Sequence, residues 1–368
     1  MTYRNLGPYS DLVAAAGLRR PRRDPGEATQ ALVRQSLNFQ PRDETPRDVR
    51  IERAWTADGV DGEEVSWSVG YGPRTHAWAL KPAGASEPLP CVLALHDHGG
   101  FYVCGKEKIA DSDRPAPDGV QALRDLIYDG AAFANELARR GYVVVAPDVF
   151  LWGSRRFDAS HLPEGYLSWG RALAAAGDET GARNIAGALA EHLAEKYCRL
   201  LGTSIAGPVS YEDRVAARYA AGRGDVDAAR IGCIGLSGGG LRAALLQATC
   251  AQVSASVIVC MMSTYDALLD QHLAKHTWML FPGAWPALGD YPDLAACRAP
   301  SPLLTLYGER DELFSPEGMR AAHARLAQAY ADAGARGAYD GRFYDVPHAF
   351  TRAMRADAFS WLDAHLKA

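Results

Sequence analysis

Arg230-Ile231-Gly232-Cys233-Ile234-Gly235-Leu236-Ser237-Gly238-Gly239-Gly240 is the stretch that decides the fold. A short apolar run ends in Gly235-Leu236-Ser237-Gly238-Gly239, which fits G-x-S-x-G, and an apolar helical pattern starts at Leu241. Strand, sharp turn and helix together lift a serine hydroxyl above a sheet edge and aim free helix N–H groups at it. Glycines on both sides allow the bend without Cβ clashes. Alone, the same letters also fit a glycine-rich turn with an incidental serine, so the flanking chain has to decide.

Outward from this stretch, buried strands alternate with helices. Leu89–Leu95 and Tyr142–Asp148 are continuous apolar runs, separated by an expected helix over 119–140. Beyond the serine come strands at 254–261, 301–308 and 341–346, with helices at 316–334 and 351–366. This order predicts an α/β protein, a mostly parallel central sheet flanked by helices. Residues 49–82 alternate with period two and read as an antiparallel sheet edge. Residues 1–48 read as an N-terminal helical arm, leaving 49–368 as the main domain. The arm is expected to pack on the main body or on a partner copy in a homo-oligomer, and the sequence does not choose. Residues 149–230 hold more chain than one crossover needs, so about 155–200 is expected to be a helical cap insertion, helical from Ala172 to Leu201 with Gly and Asp interruptions near Gly177-Asp178.

Composition narrows the function. The 368 residues are 48% hydrophobic with a net charge of −5, enough for one large core and ill-suited to nucleic acid. No apolar run reaches membrane-spanning length, and the first residues lack the apolar core of a signal peptide. The seven cysteines lack C-x-x-C spacing and several lie in apolar runs, which suggests buried thiols in a reducing, cytoplasmic setting.

An activated serine needs a base and a group that orients the base. On a strand–elbow–helix scaffold these follow as acid, then histidine. Asp311, just after the 301–308 strand, is the acid candidate, with Glu309 and Glu312 as alternatives. His348, after the last strand, is the base, whereas His323 and His365 lie on helices away from the sheet's carboxyl edge. An oxyanion needs two preset N–H groups. Gly238 supplies one, and the His96-Asp97-His98-Gly99-Gly100 loop the other, from His98 or, next, Gly99. Read as metal ligands, His96 and His98 lack a third and fourth partner, so no metal is expected. Phe101, Trp152, Trp169, His276 and Trp278 are candidate substrate contacts, with Tyr166, His272, Phe281 and Trp285 beside them.

Together, Gly235-Leu236-Ser237-Gly238-Gly239, the His96–Gly100 turn, Gly308-x-x-Asp311 and Pro347-His348-Ala349-Phe350 resemble the α/β-hydrolase superfamily. Ala146-Pro147-Asp148 through Arg156, Val226–Gly232, Phe281-Pro282-Gly283 and Tyr291–Leu294 narrow the resemblance to its dienelactone-hydrolase-like and acetyl-xylan-esterase-like bacterial members, over residues 90–360. The resemblance implies a Ser–His–Asp esterase without metal or organic cofactor, acting on a small or carbohydrate-type ester. An acyltransferase or cyclase could use the same triad, and a binding protein of this fold would normally have lost one of its members. Asp97 stands where many proteins of the fold have glycine, and its carboxylate would repel an oxyanion unless turned away or neutralised.

Overall fold

β4 (Leu89–Leu95) shows how the core is built. Cys91, Leu93 and Leu95 face one hydrophobic cluster, and Val92 and Ala94 face another. The strand is thus buried on both faces, as an uninterrupted apolar run requires. The computed structural model, which describes residues 2–367, has a nine-stranded sheet buried on both faces at its centre and open to solvent at its β1 and β9 edges. Its other strands are β1 (Arg47–Ala57), β2 (Val60–Ser68), β3 (Thr75–Pro82), β5 (Val143–Pro147), β6 (Val226–Leu236), β7 (Val253–Val259), β8 (Leu303–Gly308) and β9 (Tyr339–Tyr344). The order is β1-β2-β3-β5-β4-β6-β7-β8-β9. β1 to β3 and the β3–β5 pair are antiparallel, and every pair from β5 to β9 is parallel.

Helices cover both faces. Ala206–Ala221, Gly238–Thr249 and Pro316–Asp332 pack on one side. Phe133–Arg139 and Arg352–Leu366 pack on the other. The parallel β4, β6, β7, β8 and β9 all point their carboxyl ends at one edge, where the sequence placed its chemistry.

One expected helix is broken: the 119–140 helix is two pieces, Val120–Ile127 and Phe133–Arg139, because Asp129 and Gly130 take left-handed φ values of 53° and 75°. The 172–201 helix starts earlier than expected and is interrupted where the Gly177-Asp178 pair indicated: Tyr166–Leu173 is followed by Glu179–Leu200. Asp178 caps the second piece, accepting from the Gly181 N–H at 2.7 Å.

The arm lies against its own chain. The Gly26 N–H donates to the Cys297 carbonyl at 2.9 Å, Arg23 Nε to the Leu288 carbonyl, and Thr203 Oγ1 to the Leu37 carbonyl. All seven cysteines are buried and unpaired. Among the described residues no helix is long and apolar enough to cross a membrane.

Candidate active site

Ser237 follows β6 and caps the 238–249 helix with φ 57° and ψ −123°, a backbone conformation that costs a non-glycine residue strain. It is the one residue of 231–240 that is not buried. The turn is pinned at both ends: the Ser237 N–H donates to the Val259 carbonyl and the Leu241 N–H to the Ser237 carbonyl, each at 2.9 Å. A Cβ on Gly239 would collide with the Leu95 carbonyl, so the helix approaches β4 only because this position is glycine. A Cβ on Gly238 would meet the His98 backbone nitrogen at 2.6 Å. The elbow and the 96–100 loop therefore touch backbone to backbone.

Asp311 and His348 are brought together by the last two strands. The β8–β9 ladder continues past the strand ends, with the Glu309 N–H donating to the Tyr344 carbonyl at 2.8 Å and the Arg310 N–H to the Val346 carbonyl at 3.0 Å. His348 Nδ1 lies 2.6 Å from Asp311 Oδ2. The other oxygen, Oδ1, accepts the Leu313 N–H at 2.9 Å, and the carboxylate is fully buried. A buried carboxylate at Nδ1 holds the proton there and leaves Nε2 as the free acceptor. The Cys260 sulfur and the ligand atoms of Asp311 and His348 lie within 4.8 Å of one another. Cys260 follows Val259, which holds the Ser237 N–H, so the elbow and the Asp–His pair share one neighbourhood. Among the described residues no hydrogen bond joins the Ser237 hydroxyl to His348; the site's closed link is His348 to Asp311. Glu309 pairs with Arg320, the Glu312 carboxylate pairs with Lys275, and His323 bonds Tyr339, so none of these alternatives touches His348.

The feared carboxylate of Asp97 is turned away and fully paired. Its Oδ1 accepts from the Tyr128 hydroxyl at 2.7 Å, and its Oδ2 lies 3.5 Å from Lys108 Nζ. Lys108 Nζ also donates to the carbonyls of Asp97 at 2.7 Å and His98 at 3.0 Å. Its side chain has no exposed surface, and burial pushes the ammonium below its ordinary pKa against the pull of Asp97. One lysine thus clamps two successive carbonyls of the loop. His96 is buried at the base, its pKa pushed well down by burial and then by Arg242 and Lys108. Arg242, from the elbow helix, pairs with buried Asp213 at 2.6 Å.

The loop is also held from above by the 179–200 helix. Asn184 Oδ1 accepts the N–H groups of Tyr102 at 2.8 Å and Val103 at 3.1 Å. Glu191 Oε2 receives His98 Nε2 at 2.9 Å and the Tyr102 hydroxyl. Glu191 Oε1 receives Thr277 Oγ1 at 2.6 Å and the Trp278 N–H at 3.0 Å. Burial alone would raise the Glu191 pKa, but the bonds from His98, Thr277 and Tyr102 win and hold it at about 2. None of Lys108, Asn184 or Glu191 is singled out by the sequence motifs. Glu191 and Asn184 are buried polar residues on the face of this helix opposite Ala182 and Ala186, where a buried charge needs a partner.

The candidate substrate contacts divide. Trp152 is fully buried, stacked on Tyr102 at 5.2 Å and under His98, so it is a floor for the loop rather than a ligand contact; Trp285 is buried as well. Phe101 is half-buried against Gly119. Trp169 is 57% exposed and stacks on Tyr166. Trp278 is 36% exposed, its indole N–H bonded to His192 at 2.9 Å. His276 lies against Phe314, and burial pushes its pKa down to about 4. A cavity of about 680 Å³ lies behind Tyr102, lined by Phe150, Leu151, Leu162, Ala186 and Ala190.

This architecture matches solved proteins along nearly its whole length. The glucuronoyl esterase from Solibacter usitatus superposes with a TM-score of 0.63 at 13% identity, covering 91% of this chain and 92% of that one. Acetyl xylan esterase 1 from Thermoanaerobacterium sp. gives a TM-score of 0.56 at 16% identity, covering 95% and 97%. The chain has the α/β-hydrolase fold. By sequence it is 27% identical over 294 residues to YtaP of Bacillus subtilis (strain 168), whose name assigns it provisionally to the hydrolases; the match spans 80% of this chain and 84% of that one. No family model matches. The strand order, with β1 to β3 as the antiparallel edge of a parallel sheet, is the feature the hydrolase fold accounts for.

Proposed function

We propose that this α/β-hydrolase chain is a serine esterase that cleaves a small or carbohydrate-type carboxylic ester through an acyl-enzyme. One observation carries the reading: a serine in a strained elbow touches a clamped backbone loop on one side, while a His–Asp pair lies beside the strand on the other. Ser237 Oγ attacks the ester carbonyl carbon. His348 Nε2 takes the hydroxyl proton, its Nδ1–H staying with Asp311. The N–H groups of Gly238 and His98 receive the oxyanion, with Gly99 as the neighbouring donor. His348 then gives the proton to the departing alcohol, and water, deprotonated by the same imidazole, releases the acid. No step needs a metal or organic cofactor.

The ester class draws on the solved proteins named for acetyl xylan and glucuronoyl esters. Residues 155–200 act as the cap in this reading, with Trp169, His276, Trp278 and Phe101 as substrate contacts. The test is a panel of p-nitrophenyl acetate, longer p-nitrophenyl esters, acetylated sugars and a methyl glucuronate ester. Hydrolysis favouring short acyl or sugar esters is expected; a folded protein inert to every one contradicts it.

A further inference from the structure

Glu191 is a carboxylate that the proposed hydrolysis does not use, yet it is 5% exposed and receives four donors. Those donors come from two separate segments. His98 and Tyr102 belong to the loop that carries the oxyanion donor; Thr277 and Trp278 belong to the 265–292 segment. Glu191 itself comes from a third, the 179–200 helix.

The arrangement fixes the His98 ring. Its Nδ1 accepts the Gly100 N–H at 3.0 Å, so Nδ1 carries no proton and Nε2–H is the donor to Glu191. His98 is therefore held by its own ring at both nitrogens, by the Lys108 clamp at its carbonyl, and by Gly238 against its N–H. Gly187 and Asn184, one and two turns earlier on the same helix face, seat Tyr102 from the same side.

Resting on the esterase reading, we propose that Glu191 is a positioning residue for the oxyanion site, aiming the His98 N–H through its imidazole. A glutamine of the same shape cannot replace it. Its amide offers one acceptor oxygen and one donor nitrogen, so one pair of the four donors loses its acceptor.

The test uses the full chain. Parent, Glu191→Gln and Thr277→Val are first titrated with a fluorophosphonate at Ser237 to count active sites, and their folding is checked by circular dichroism. Steady-state hydrolysis of p-nitrophenyl acetate follows, with affinity for a trifluoromethyl ketone as a mimic of the oxyanion. Glu191→Gln is expected to lower kcat by about 10- to 100-fold, below the 10²–10³ of deleting a donor. KM should stay within about twofold, and ketone affinity should fall in step with kcat. Thr277→Val, which keeps the bonds to His98 and Tyr102, should lose under about threefold. Equal kcat in parent and Glu191→Gln overturns the inference. So does a loss confined to the count of active sites, or an equal loss in Thr277→Val. An unlabelled, inactive parent overturns the esterase reading and the inference together, whereas a labelled parent beside an unaffected Glu191→Gln overturns only the inference.

Discussion

The two loops flanking Ser237 are held in opposite ways. The Asp311 and His348 loops are extensions of neighbouring strands, joined by main-chain bonds and packed so closely that a Cβ on Gly308 would meet the Pro347 carbonyl at 2.7 Å. The 96–108 loop is held by buried charge: Lys108 on two carbonyls and Asp97, Lys106 on Asp148 at 3.0 Å, and Glu191 from the helix above. Main-chain pairing tolerates many side chains, whereas a buried ion stripped of its partner is costly. The first loop pair should therefore be sensitive in chemistry and robust in folding. The second should be sensitive in both.

Substitutions should break this contrast in a graded order. Ser237→Ala should lower turnover of p-nitrophenyl acetate by on the order of 10⁴-fold or more, with unchanged thermal unfolding. Asp311→Asn should cost about 10³–10⁴-fold in kcat by unsettling the His348 tautomer, again with little loss of stability. Lys108→Met should instead unfold the protein more easily, by about 3–5 kcal/mol in denaturant titration, because Asp97 is left buried without its cation. Adding Asp97→Asn to Lys108→Met should recover part of that loss, and strict additivity would contradict the pairing.

The smallest effect sharpens the contrast through pH. His276 is held neutral, its folded pKa of about 4 lying below the ordinary 6.5. The unfolded chain binds that proton first, so stability is full above about 6.5 and falls as the pH drops toward 4. Replacing His276 by Gln should flatten the profile in that window by roughly 2 kcal/mol, read as midpoint shifts in urea at pH 7 and pH 4. Glu191 adds its own slope lower down: stability present above about 4.5 fades toward pH 2.

The same contrast explains what was legible. The central strands β4, β5, β7 and β8 announced themselves as apolar runs, because a strand buried on both faces leaves no room for polar residues. Ser237, Asp311 and His348 were proposed from their order after the strands, and the structure brings Asp311 and His348 into contact. Lys108, Asn184 and Glu191 were not, since each acquires its role from a partner far along the chain: Glu191 meets His98 across 93 residues. Trp152 misled for a related reason: an aromatic residue after a strand suits a pocket wall and a loop floor equally. The helix break at Gly177-Asp178 was legible from its turn residues, whereas at Asp129-Gly130 the apolar periodicity ran past the same kind of signal.

The central claim is that Ser237 is the nucleophile. Incubating the protein with a fluorophosphonate and locating the adduct by peptide mass mapping tests it directly. One equivalent on Ser237, absent from Ser237→Ala and matched by loss of esterase activity, is the predicted result. An adduct on another residue, or undiminished hydrolysis by Ser237→Ala, would contradict the account.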